Sequence, residues 1–165
     1  MTSSAERSED ATRGGDEEDP GWVAVVRALD RTGVVTQLAG VFSTRGVNVD
    51  SIATGLTGTG TADITLTFRA TPRRCQLLVR SVERLATVHE VLVRGEDDPR
   101  VHAAAVVIME SGVDFTPDPG LVLNWSGRTA LGEPLLAEGP FASVRQLVRD
   151  AAPRALTTGM TISVL

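Results

Sequence analysis

The chain has 165 residues, enough for one large domain or two small ones with a real core. A hydrophobic content of 42% with 22% charged residues is ordinary for a soluble globular protein, and no apolar run approaches the roughly 20 residues that span a bilayer. The net charge of −5 sits wholly in residues 1–20, where seven acids face two arginines, so the remainder is neutral and implies neither nucleic acid nor a membrane surface as partner.

Residues 1–20 are rich in Ser, Glu, Asp and Gly and almost free of apolar side chains, so a disordered, solubilising acidic tail is expected. Nothing there has the charged-then-apolar pattern of a signal peptide, and the single cysteine, Cys75, can form neither an internal disulfide nor a zinc site. Both point to the cytoplasm. Val23–Leu29, apolar and β-branched, predicts a strand that stops at Asp30-Arg31-Thr32-Gly33. This tetrapeptide carries helix-start chemistry, with Asp30 or Thr32 as cap and Gly33 relieving a tight turn. Val35, Leu38, Ala39 and Phe42 follow at helical spacing, and Arg45-Gly46 ends the helix, the arginine complementing its dipole and the glycine taking the left-handed position. Val47–Ile52 then reads as a second strand.

Thr54–Thr61 is glycine-rich, and because the alternating strand Ala62–Arg69 follows it rather than a helix, it predicts a hairpin loop and not a phosphate cradle. Thr71-Pro72 supplies an N-cap and first helical position for a helix with Cys75, Leu78, Val82 and Leu85 inward. Cys75 is a core residue on this reading. Val88–Arg94 closes the unit as a fourth strand. The order β-α-β-β-α-β is the ferredoxin-like arrangement of an α+β protein, four antiparallel strands with both helices on one face.

Gly95-Glu96-Asp97-Asp98-Pro99 marks a boundary, dividing the chain into an acidic tail (1–20), a first domain (21–96) and a C-terminal α+β region (97–165). In the latter, strands are expected at Val101–Met109, Leu121–Trp125, Leu135–Ala137 and Ala155–Leu165. A helix is expected at Pro140–Asp150 with Phe141, Val144 and Val148 inward. The resulting β-β-β-α-β reads as a degenerate second ferredoxin-like unit, because Glu110–Gly120, with two prolines and two glycines, is too broken for a helix.

The strongest chemical signal is Asp30–Gly33, where exposed backbone N–H groups at a helix start suit a carboxylate such as that of a free amino acid. The run D-R-T-G, helix ending V-F-S-T-R-G, then V-N-V-D-S-I resembles the ACT domain. It most resembles that of the small regulatory subunit of acetolactate synthase, over about residues 21–96. The resemblance implies a regulatory protein without catalysis of its own, an amino-acid effector that is valine-like, a homodimer, and a large catalytic subunit of branched-chain amino-acid biosynthesis as partner. Carried over by position, Asp30, Thr32, Gly33 and Asn48 are the polar effector contacts, and Val34 and Val49 flank the effector side chain. The small subunits usually have asparagine where this chain has Asp30; many other ACT domains have aspartate in a D-R-x-G form. A stand-alone ACT regulator of another amino-acid or secondary-metabolite enzyme is therefore the second reading. A small ferredoxin-like enzyme such as an acylphosphatase, using Arg31 and Asn48, is the third.

No cofactor or metal site is expected. His89 and His102 stand singly in strand segments, Asn124-Trp125-Ser126 matches a glycosylation acceptor without secretory context, and no catalytic constellation can be assembled. With no tyrosine and one phenylalanine on the third strand, the stacking platform of an RNA-recognition sheet is missing.

Overall fold

The computed structural model describes residues 19–56, 58 and 60–165; the acidic tail before Asp19, with Thr57 and Thr59 of the expected hairpin loop, lies outside the described residues. The elements of the first half are β1 (Gly21–Leu29), α1 (Val34–Thr44), β2 (Val49–Leu56), β3 (Thr61–Arg69), α2 (Pro72–Val82) and β4 (Val88–Gly95). They form an antiparallel sheet in the order β2-β3-β1-β4, the ferredoxin-like order. One compact unit ends at Val91 and a second begins at Leu92.

The first core follows from strand alternation. Ile64, Leu66 and Phe68 on β3 share one face with Ala24, Val26 and Ala28 on β1 and are buried, as are Val34, Leu38 and Phe42 of α1 and Cys75, Leu78 and Val82 of α2; Val23, also buried, pairs with Thr67 on the other face. Phe42 stands edge-on to Phe68, ring centroids 5.1 Å apart. Each of the larger side chains contributes about 1.5–3 kcal/mol by burial. Cys75 is part of this core, and desolvation pushes its thiol up to about 11.

Three expectations shift here. Val34 rather than Val35 faces the core, and Ala39 is exposed, because the helix starts one residue earlier and buries a narrow seam at i, i+4 and i+8. The N-cap is Gly33, in the left-handed region, so neither Asp30 nor Thr32 caps the helix, and Arg45 is the C-cap residue rather than part of the last turn. β2 runs Val49–Leu56 and takes in residues expected in the loop, with a register shift between Val49 and Ser51. By contrast Thr71 caps α2 through its hydroxyl, which accepts from the Arg74 N–H at 3.2 Å.

The second half contains β5 (Val101–Met109), β6 (Asn124–Ser126), β7 (Leu135–Pro140), α3 (Phe141–Ala151) and β8 (Ala155–Val164). Its sheet order is β6-β7-β5-β8. Counted within this half, that is again second, third, first, fourth, so the ferredoxin-like order is kept although the helix after the first strand is missing. The coil from Glu110 to Leu123 stands in its place. Val113, Phe115, Leu121 and Leu123 pack against the buried Val107, Met109, Leu135, Ala137, Leu147 and Ala151. Leu121 and Leu123 therefore serve as coil cover, which is why β6 begins only at Asn124.

A coil over a core must still satisfy its backbone. Thr129, 2% exposed in a short 3-10 turn, does part of this: its Oγ1 accepts from the Phe115 N–H at 2.7 Å and donates to the Phe115 carbonyl at 3.3 Å. At Gly127 (φ 110°) a Cβ would lie 2.1 Å from the Pro134 carbonyl oxygen, so the β6–β7 turn admits only glycine. On α3 the fully buried residues are Phe141, Val144, Leu147 and Ala151, and Val148, half-buried, packs against the same core. Arg145 forms a bidentate pair with Glu96 and lies over the Phe141 ring, 5.4 Å from its centroid.

Asp98 lies beside two arginines. Arg100 donates to it from both side chain (2.7 and 3.0 Å) and backbone (2.9 Å), and Arg94 Nε is 3.7 Å away. These hydrogen bonds, Arg100's first, hold the Asp98 carboxyl at about 2, below the usual carboxylate range. A depressed carboxylate contributes stability that is fully present above its unfolded value near 4 and is lost as pH falls through about 2. Acid unfolding followed by circular dichroism should therefore show Asp98→Asn losing stability relative to the parent at pH 6, with the difference disappearing towards pH 2. A constant difference across that range would mean that the ionised form is not what matters.

Candidate functional site

The D-R-T-G turn connects β1 to α1, and its shape comes from three neighbours. The Leu29 N–H donates to the Thr87 carbonyl (2.9 Å), the Asp30 N–H to the Gly60 carbonyl (3.0 Å), and the Arg31 N–H back to the Leu29 carbonyl (3.0 Å). Gly33 then adopts φ 92°, ψ −9°, a conformation that costs any residue with a Cβ about 1–2 kcal/mol. Its carbonyl accepts from the Gln37 N–H at 2.9 Å, closing the first helical turn. Apart from its own chain neighbours, no heavy atom lies within 4 Å of where a Gly33 Cβ would stand, so the main chain is open to approach there.

Asp30, Arg31, Thr32 and Gly33 are all exposed, as are Val35 and Thr36 of the first turn, whose N–H groups have no carbonyl four residues back. With no acidic residue in that turn, the positive end of the helix is uncompensated from within α1. Chemically, the arrangement offers backbone donors and a helix dipole to an anion, with the Asp30 carboxylate available to a cation beside it. The hairpin-end Gly60 and the buried Thr87 (1% exposed) also shape this turn. Neither carries a motif; only the turn's need for backbone acceptors could have pointed to them. Thr87 further donates its hydroxyl to Gln37 Oε1 at 3.1 Å, tying α1 to the segment that enters β4.

The other expected site residues are elsewhere in the protomer. Asn48 is exposed just before β2, and Val49 is half-buried at its start. Leu29 pairs with Thr61 at one end of β3 and Val49 with Phe68 at the other, seven residues or about 23 Å along the strand. One protomer therefore does not bring Asp30 and Gly33 together with Asn48 and Val49. The same separation keeps Arg31 and Asn48 apart, so they cannot form one acyl-phosphate site within a chain. Val34 is 3% exposed, a core residue of its own protomer. β2 is an edge strand whose Ser51, Ile52, Ala53 and Thr54 are exposed, and its Ser51 hydroxyl is within 2.6 Å of Thr67 Oγ1 across the sheet.

In the second unit the outer face of the sheet forms a shallow concavity lined by Ala104, Val106, Trp125, Leu136 and Met160. Its polar lining residues are Asn124, Ser126, Glu138 and Thr161. Among the described residues no group of three or more His, Cys, Asp or Glu side chains could hold a metal ion, and no helix is long and apolar enough to cross a membrane.

Comparison with known proteins bears on this geometry. Residues 25–90 match the family model described as the AHAS small subunit-like ACT domain, a span that contains the turn, β2 and Thr87. Among solved structures, the chain is similar to the acetolactate synthase small subunit from Thermotoga maritima, at 14% identity, covering 88% of this chain and 96% of that one with a TM-score of 0.60. It also aligns with the regulatory subunit of aspartate kinase from Thermus thermophilus, at 18% identity, covering 82% of this chain and 92% of that one with a TM-score of 0.44. No curated protein matches in sequence. The Thermotoga likeness, at this identity, speaks to the fold, and it extends the resemblance beyond the first unit.

The clamp on the turn makes a local prediction. Thr87→Val removes the hydroxyl at nearly constant volume and leaves Gln37, which is exposed, to water. Urea unfolding should show a loss of about 1 kcal/mol, and amide exchange at Leu29 and Asp30 should accelerate. Unchanged exchange would mean that the hydroxyl does not hold the turn.

Proposed function

We infer that this chain, an ACT-domain protein like the acetolactate synthase small subunit, senses a free amino acid and passes that signal to a biosynthetic enzyme, without catalysis of its own. The observation that carries the reading is the open, uncapped start of α1 behind Gly33, within residues that match the AHAS small subunit-like ACT domain. An α-amino acid presents a carboxylate to the first-turn N–H groups and an ammonium to Asp30. The finer reading is a valine-like effector, a homodimer, and a large acetolactate synthase-like catalytic subunit as partner.

The roughly 23 Å between the two halves of the expected site bears directly on assembly. Asp30, Thr32 and Gly33 of one protomer meet Asn48 and Val49 only if a second copy contributes them, and the exposed β2 edge, with free backbone groups on one side, is the natural seam. Asp30 supports a second reading as well. Because the small subunits usually have asparagine there, regulation of a different amino-acid or secondary-metabolite enzyme, by an effector whose ammonium pairs with aspartate, accounts for the same geometry.

Gly33→Asp tests the site. Aspartate tolerates the left-handed region better than most residues, so folding loses only about 1–2 kcal/mol, while the added carboxylate occupies the effector's place. Calorimetry should show amino-acid binding abolished with the circular-dichroism spectrum retained; binding left intact would move the effector site elsewhere. Light scattering at tens of micromolar should report a dimer, and a monomeric mass would count against a shared site.

A further inference from the structure

The helix layer of the first unit is strongly one-signed. On α2 the buried residues Cys75, Leu78 and Val82 lie on one side, and Arg73, Leu77 and Arg80 project from the opposite side at i, i+4 and i+7, with Arg84 continuing that line in the turn beyond. Arg74 flanks the stripe. Arg45, at the end of α1, joins it by donating to Ser81 Oγ at 2.8 Å. Against these five guanidinium groups α2 and its following turn offer one carboxylate, Glu83, and α1 has none. Arg73, Arg74, Arg80 and Arg84 are exposed and form no ion pair among the described residues. On the sheet, in contrast, Arg27 is paired with both Asp63 (2.9 Å) and Glu90 (3.4 Å).

The described chain is anchored, through the Asp19 and Pro20 carbonyls, at the end of β3 next to the corner that leads into α2. The Asp19 carbonyl accepts from Arg69 Nη1 at 3.0 Å, and the Pro20 carbonyl from the Ala70 N–H at 3.2 Å. Residue 19 is thereby fixed beside the corner that leads through Thr71 into α2. Immediately before it in sequence stand Asp16, Glu17 and Glu18, and further back Glu6, Glu9 and Asp10, with only Arg7 and Arg13 opposing them. From the fixed Asp19, three residues reach at most about 10 Å and nine residues about 30 Å. The eleven residues of α2 are about 16 Å long. Asp16–Glu18 can thus reach the Arg73–Arg74 end, and Glu9–Asp10 the Arg80–Arg84 end.

We propose that the arginine face of α2 is the docking surface for the chain's own acidic segment, residues 6–18, held by charge and released by salt. Single exposed ion pairs contribute about 0–1 kcal/mol, but tethering at Asp19 makes each successive contact intramolecular, at an effective concentration on the order of millimolar. The contact is therefore weak and reversible. It keeps the cationic face of the first unit covered unless a competing polyanion or acidic protein surface displaces it.

The test uses the full chain carrying Ser8→Cys with a nitroxide at that position. Cys75 is buried with its thiol pushed up to about 11, so labelling is selective. At low ionic strength, amide resonances of residues 73–84 should lose intensity. They should recover at 1 M salt, where the screening length falls to about 3 Å, and also in Arg73→Gln/Arg80→Gln/Arg84→Gln and in Asp16→Asn/Glu17→Gln/Glu18→Gln. No intensity loss at low salt overturns the proposal and leaves the face to a separate acidic partner. Loss that persists in both variants, or that arises only between a labelled chain and an isotopically marked second chain, also overturns it.

Discussion

Everything in this chain depends on covering one face of a four-stranded antiparallel sheet. In the order second, third, first, fourth, the first and third strands are interior, and their inward residues are apolar without exception in β5 and nearly so in β1 and β3. The first unit covers that face with two helices. The second unit has one helix and a coil, and keeps the same strand order because what the order requires is apolar volume over the sheet and satisfied backbone beneath it, not a helix as such. Phe115, Leu121 and Leu123 supply the volume, and Thr129 helps to satisfy the backbone.

That division explains which parts of the fold were legible in the sequence. Strand alternation at Ala62–Arg69, the Thr71-Pro72 cap and the apolar run Val101–Met109 are local signals, and the structure follows each of them. The seam of α1 begins at Val34, one residue before the sequence pattern suggests, since Val34 and Val35 are the same residue type and only the left-handed Gly33 decides where the turn begins. Leu121–Trp125 looked like a strand because coil that covers a core needs the same leucines and valines as a strand. On α3, Leu147 joins the fully buried residues and Val148 packs half-buried against the same core.

The candidate site was legible to a different degree. The tetrapeptide Asp30–Gly33 announces a helix start, but the clamp that shapes it comes from Gly60 and Thr87, both distant in sequence and neither of a type that suggests function. Nor does a motif contain its own geometry. Asn48 follows Gly33 by fifteen residues, yet the length of α1 carries the chain back to the far end of the sheet, so the nearness suggested by a contiguous pattern does not exist within one protomer. A site built from both segments is necessarily a property of two chains.

Asp30 decides what such a site can prefer. At the start of α1 a negative charge is already favoured by the helix dipole, so the carboxylate of Asp30 and that of any ligand compete for the same positive end. An asparagine there would accept or donate without that competition. Aspartate becomes an advantage only if a cation is bound close to it, which a simple carboxylic acid does not bring and an α-amino acid does. On the proposed reading the side chain therefore selects for the zwitterion as a unit: the ammonium neutralises Asp30, and with that neutralised the first-turn N–H groups are free to hold the ligand carboxylate. On that same reading, selectivity among amino-acid side chains comes from elsewhere, for which exposed Val35 on α1 and half-buried Val49 on β2 are the proposed apolar candidates.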